Sequence, residues 1–238
     1  MRIPIKLESK HYVILALIAI PFIILLRIFY KWLAIPFVFE EFLFFKGAIW
    51  DPFLMSMPLI LGGIALNVFH MASTTNPPEV HANAGSIPFT GFLTSLMAGV
   101  MEEIVFRWVL FYAFFGMFWF IDRNILGGFL QAQFTNNLSF INTFLVFGAP
   151  EMISNPTNWA TGLAILSSNW KFQEGHSYQG ISGQIFSWLG GLVFFNVMFV
   201  HGLFAAMLVH FAFDMLTFVM LMVDLFLEEN SDKFYAWY

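Results

Sequence analysis

The 238-residue chain contains no cysteine. That removes disulfides, thiolate nucleophiles, iron–sulfur clusters and cysteine-ligated zinc from consideration. Charge is nearly as scarce: Asp, Glu, Lys and Arg make up 11% of the residues, against about 25% in an ordinary soluble domain. So few charges cannot cover a water-facing surface. The net charge of −5 counts against nucleic acid as a partner, because phosphate contacts need clustered Lys and Arg. Several catalytic signatures are also missing. The chain has no HExxH helix, no Gly-x-Ser-x-Gly elbow, no P-loop and no dinucleotide fingerprint, which sets aside the common zinc proteases, serine hydrolases and nucleotide enzymes. Internal repeats and low-complexity tracts are absent as well.

What remains is apolar. Hydrophobic residues are 59% of the chain and aromatics 20%, with 33 Phe. The apolar residues form long runs, whereas the strands of a membrane barrel would alternate polar and apolar positions. Helices satisfy all their backbone polar groups within one segment, as lipid demands. The expected fold is all-α, a polytopic transmembrane bundle of about six or seven membrane helices. The whole chain, 1–238, reads as a single integral membrane domain. A span needs about 20 apolar residues. Candidates are Tyr12 to Leu33, Phe53 to Met71 and Phe89 to Phe120. The third would be roughly 48 Å long at 1.5 Å per residue, so it is expected to tilt, break or project. Ser73 to Pro88, with Asn76-Pro77-Pro78, is expected to be a loop. A shorter helix is expected from Asn158 toward Trp170. Ile181 to Leu227 is too long for one span, and His201-Gly202 is its natural turn. At the N-terminus Arg2, Lys6 and Lys10 precede the first apolar run without a small-x-small cleavage site, which predicts a retained span. Their charge favours a cytoplasmic N-terminus, while Arg27 and Lys31 at the far end of the run oppose it.

Chemistry concentrates where charge is most costly. Glu102, Glu103 and Arg107 lie inside the apolar run from Phe89 to Phe120. A charge at the bilayer centre costs about 2.5–3.5 kcal/mol on insertion scales, so these three are expected to face a protein interior or a wet cavity. Glu103 and Arg107 are four apart and share a helical face, which suits an ion pair. Glu102 points about 100° away and has no cation at i+4. It is therefore the candidate general base. A buried ion pair pinning a helix, with Glu102 a bystander, is the alternative. His210 and Asp214 are also four apart on an apolar helix, which suits a histidine oriented by a carboxylate, or a pair of metal ligands. A polar pair gluing two helices is the bland version. His176 follows Lys171-Phe172-Gln173-Glu174-Gly175 and is expected at the start of a helical stretch, where an interfacial histidine would also be ordinary. His201 is expected to be a loop histidine.

Taken in order, Glu102-Glu103-x-x-x-Arg107, Phe172-x-x-x-His176 and His210-x-x-x-Asp214 resemble the three motifs of the CAAX protease and bacteriocin-processing family. These intramembrane glutamic endopeptidases, also called the Abi family, include the type II CAAX prenyl endopeptidases. Ser167-Ser168 ahead of the second motif is similar too. The resemblance spans roughly Phe89 to Phe226, and it places the catalytic core at about 89–226. It implies a peptide hydrolase with neither cofactor nor metal ion. Glu102 would activate water, His176 would help to position it, and His210 with the residue four later would stabilise the oxyanion. Glu103 and Arg107 would support them. The chain departs from the pattern in several places. About seventy residues separate the first two motifs, and Trp108 stands where many members have Gly. Lys171 and Glu174 flank the second motif. Asp214 replaces the Asn of many members, and an ionised Asp cannot donate to an oxyanion. Asp214 would then be protonated or, as we expect, hold His210 as a cationic donor.

The implied partners are membrane lipid and a protein or peptide substrate, prenylated or not, and the implied location is the cell membrane, in several passes. Three other readings use the same residues. Glu102, Glu103, His176, His210 and Asp214 could ligate the metal of an intramembrane hydrolase. Intramembrane Glu, His and Asp also mark transporters and proton relays, although no inverted repeat is visible. An immunity or scaffold protein could retain the site without catalysis.

Overall fold

The structure is a computed structural model, and it describes residues 43–73, 87–137, 159–177 and 180–229 together with scattered residues between 18 and 32. The described residues are mostly helical, with no strand among them. Helix α1 spans Asp51–Ser73 and α2 spans Ile87–Glu102. A π-helical segment follows over Glu103–Leu110 and leads directly into α3, Phe111–Asn124. Helix α4 is Phe129–Asn137, α5 is Trp159–Gly175, α6 is Gly180–His201 and α7 is Leu203–Glu229. The protein is an all-α helical bundle of the membrane. Among the described residues, three helices are long and apolar enough to cross a bilayer: Gly91–Asn124, Gly183–His201 and Leu203–Met220. The expected span from 12 to 33 and the stretch 138–158 lie largely outside the described residues.

The long third run is resolved by interruption. The 34 residues Gly91–Asn124 form one continuous helical span, but the hydrogen bonding widens over the eight from Glu103 to Leu110. Helix α5 extends further than the sequence suggested, through Lys171 and Glu174 to Gly175. His176 therefore follows the end of a helix instead of beginning one. Residues 171–175 continue the last turns, with Phe172 buried and Lys171 Nζ paired to Glu174 Oε2 at 2.8 Å on an exposed face.

Two features set how the helices meet. On α2 the small residues Gly91, Ser95 and Gly99 recur every fourth position and face α7. A Cβ added at Gly99 would stand 2.9 Å from the Phe211 backbone nitrogen and 3.0 Å from the Met207 carbonyl oxygen. One at Gly91 would stand 2.8 Å from the Phe218 ring. Close approach through small residues is how membrane helices gain packing energy when lipid offers no hydrophobic drive. The α6–α7 turn is the second feature, and it lies at His201-Gly202 as expected. Gly202 has φ +97°, and a Cβ there would meet the Phe44 carbonyl. The segment before α1 is fastened to this turn. The Lys46 amide donates to the His201 carbonyl (2.8 Å), and the His201 Nδ1 lies 3.0 Å from the Lys46 carbonyl. His201 is thus a buried clamp residue.

Aromatic rings fill the centre. Phe111 packs on Phe195 and Phe199 with ring centroids 5.6 and 5.5 Å apart, and on Tyr112 at 5.0 Å. Offset and edge-on contacts of this kind are worth about 0.5–1.5 kcal/mol beyond burial. Gly99→Ala is expected to force α7 off α2 and destabilise the protein by about 1–3 kcal/mol. Gly62→Ala, whose Cβ would meet only the Phe186 ring at 3.8 Å, should be neutral or stabilising by up to about 1 kcal/mol. Thermal unfolding in detergent checks both.

Candidate active site

The site is built at the junction of α2 and the π segment. The Phe111 amide donates to the Phe106 carbonyl five residues back, and the Ser168 hydroxyl of α5 donates to that same carbonyl. Such π-bulges are rare and occur disproportionately at functional sites. This one begins at Glu103, next to Glu102.

The expected pair within the first motif is present. Arg107 Nη1 lies 3.3 Å from Glu103 Oε1, and both side chains are wholly buried. The guanidinium lies over aromatic rings, with its central carbon 4.0 Å from the Phe172 centroid and 5.3 Å from that of Phe194. Its charge is balanced by one carboxylate and by ring faces, not by aligned hydrogen bonds.

Glu103 has a second partner that no spacing indicated. Its Oε1 lies 2.8 Å from His210 Nδ1, across 107 positions of sequence. A carboxylate accepts, so Nδ1 carries the proton, and Nε2 is turned the other way. Asp214, the expected partner, has its Oδ2 3.7 Å from His210 Nε2, which is ion-pair range but beyond a hydrogen bond. The ring is therefore oriented by Glu103, with Asp214 flanking its far side. Phe194 stacks on the imidazole at 4.4 Å and 18°, and Phe172 meets it edge-on at 6.1 Å.

The second motif arrives from α5. His176 Nδ1 lies 2.8 Å from the Phe172 carbonyl, one of the last carbonyls of that helix. A carbonyl also accepts, so Nδ1 again carries the proton. A histidine in this position caps a helix C-terminus, and that contact alone would account for it. Its other nitrogen gives it more to do. Nε2 of His176 lies 3.8 Å from Glu102 Oε2, and Nε2 of His210 lies 3.8 Å from the same atom. The adjacent carboxylates of Glu102 and Glu103 thus straddle one imidazole, and Glu102 alone faces the second.

Burial separates the six residues into two tiers. Glu103 and Arg107 are fully enclosed and His210 nearly so, while His176, Glu102 and Asp214 keep 18%, 21% and 27% of their side chains exposed. Glu102 Oε2 itself is buried and has no hydrogen-bond partner among the described residues. Among those residues no group of three or more His, Asp or Glu side chains is spaced to hold a metal ion. Two cavities, of about 350 and 530 Å³, lie elsewhere. One is at Trp119, Arg123 and Gln131, the other at Phe114, Trp170 and Trp188, and none of the six residues lines either.

Phe194, Ser168 and Asn169 complete the surroundings. Phe194 carried no sequence signal, being one Phe among many. Comparison of the chain with protein-family models, with curated proteins and with solved structures finds no match. The functional reading therefore rests on the residues themselves.

Removing the arginine alone should cost more than removing both members of the buried pair. Arg107→Ala leaves Glu103 enclosed without its cation, with an expected loss of about 3–5 kcal/mol. Glu103→Leu combined with Arg107→Met should recover part of it, the remainder being the cost of a buried His210 Nδ1–H left without its acceptor. Unfolding of the three proteins in the same detergent measures the difference.

Proposed function

We propose that this protein is an intramembrane endopeptidase that uses Glu102 to activate water against a peptide bond of a membrane-associated or peptide substrate. It would act as a multi-pass protein of the cell membrane. The observation that carries the reading is the approach of two imidazole Nε2 atoms to one buried, unpartnered carboxylate oxygen, each at 3.8 Å. Both imidazoles stand beyond hydrogen-bond range of that oxygen, at a separation that one water about 2.8 Å from each would bridge.

The chemistry follows from the proton positions. With Nδ1–H spent on the Phe172 carbonyl, neutral His176 presents a lone pair at Nε2. A water that donates one hydrogen to His176 Nε2 and the other to Glu102 Oε2 is aimed by both. As the water oxygen bonds to the peptide carbon, its proton passes to Glu102 and the carbonyl electrons move to oxygen. His210 in its protonated form offers Nε2–H to that oxyanion, with Glu103 on its opposite nitrogen. The tetrahedral species then re-forms the carbonyl, breaks the carbon–nitrogen bond and receives the Glu102 proton on the departing nitrogen. Exposure agrees with the division of labour: the Glu102 and His176 side chains are partly exposed, with Glu102 Oε2 itself buried, while Glu103 and Arg107 are wholly enclosed. The resemblance of the three motifs to the CAAX protease and bacteriocin-processing family supports the same assignment.

The test uses purified protein in nanodiscs and a mixed library of C-terminal and internal peptides, with and without a prenyl group, read by mass spectrometry. Cleavage by the wild type should fall by at least about 100-fold in Glu102→Gln and in His176→Ala, with unfolding temperatures unchanged. Arg27→Ala should cleave as the wild type does. Retained cleavage in the first two variants would overturn the proposal. A wild type that cleaves nothing, yet carries a proton flux that Glu102→Gln abolishes in proteoliposomes, would replace it with a proton relay.

A further inference from the structure

We infer that Asn169, together with Ser168, is a positioning residue that sets the register of α5 and thereby delivers His176 to Glu102. The inference rests on the peptidase reading for its catalytic consequence, though not for its geometry. Helix α5 is not among the three spans, and it carries the second motif. Something must fix its depth. Two adjacent, fully buried side chains do so in different directions. Ser168 Oγ donates to the Phe106 carbonyl within the π segment. Asn169 Nδ2 donates to the Trp188 carbonyl of α6 at 3.0 Å.

The Asn169 side chain is accommodated by an absence on α6. An ideal Cβ at Gly191 would collide with Asn169 Oδ1 and stand 3.0 Å from its Cγ and 3.0 Å from Phe172 Cδ1. The amide therefore sits in a notch that only glycine leaves open, and Phe172 seals the next turn. From there the connection to the site is short. The Phe172 ring receives Arg107 at 4.0 Å, and its carbonyl holds His176 Nδ1 at 2.8 Å. A slip of one residue along α5 would shift the helix by 1.5 Å and turn it by about 100°. His176 could not then remain 3.8 Å from Glu102.

The experiment reads His176 directly. Protein labelled with ¹⁵N-histidine in nanodiscs reports the imidazole tautomer, with the His176 signal assigned by its loss in His176→Ala. The wild type should show His176 protonated at Nδ1. Asn169→Ala and Ser168→Ala should each give a mixture of tautomers, whereas Lys171→Ala, an exposed neighbour, should match the wild type. In the peptide assay kcat should fall by about 100-fold for Asn169→Ala, the cost of an ångström-scale misplacement, with KM little changed. Gly191→Ala should destabilise the protein. Adding Asn169→Ala to it should restore the unfolding temperature without restoring the His176 signal. A folded Asn169→Ala protein whose His176 signal equals the wild type overturns the inference, whether or not any peptide is cleaved. If the wild type cleaves nothing while the signal shifts as described, the peptidase reading fails and the positioning role stands.

Discussion

One carboxylate, that of Glu103, is shared between Arg107 on its own segment and His210 on α7. It is wholly buried, and so is the arginine. Within a membrane an unmatched charge at that depth costs several kcal/mol, so neither α7 nor the π segment can move away without exposing one. The shared carboxylate also decides which nitrogen of His210 carries a proton, and therefore what the ring presents on its other side. Structural and chemical roles are joined in a single group. Glu102, its neighbour, is left with an unpartnered oxygen and partial exposure.

The small face of α2 leads to this contact. Gly91, Ser95 and Gly99 let α7 come within reach of backbone atoms, and the next residue in that four-step series is Glu103. Bulkier residues would hold the two helices apart by the thickness of a side chain, and a 2.8 Å hydrogen bond would not survive it. Aromatic packing completes the arrangement from the opposite side. Phe172 touches Arg107, His176 and His210, and Phe194 lies against His210, which excludes water from the inner tier while the outer tier stays open.

Much of this was legible in the sequence where the relevant contact is local. Glu103 with Arg107 and His210 with Asp214 are four residues apart, and helical geometry brings such pairs together without knowledge of the fold. The His201-Gly202 turn was legible because glycine marks it. The Glu103–His210 bond was not, because 107 residues separate the partners and no periodic rule links them. Asp214 looked like the orienting group because it was the carboxylate within local reach. The Asn169–Gly191 contact was hidden for the same reason. His176 was placed at the wrong end of a helix because the helix from Asn158 was expected to run only toward Trp170, whereas a solvated last turn tolerates Lys171, Gln173 and Glu174. The π segment left no mark at all, since Glu103-Ile104-Val105-Phe106-Arg107 reads equally well as ordinary α-helix.

That segment carries one further consequence. A π turn holds more residues than the α turn it replaces, so the run from Glu103 to Leu110 stores surplus chain between two otherwise regular helices. Deleting a single residue there would let the whole run relax into one uninterrupted α-helix. The halves bearing Glu102 and Phe111 would keep their faces, because the widened turns had only absorbed the surplus residue. What would change lies between them: the Phe106 carbonyl that receives the Ser168 hydroxyl and the placement of Glu103 and Arg107 on the inner face. The surplus residue thus shapes the site and leaves the flanking helices in register.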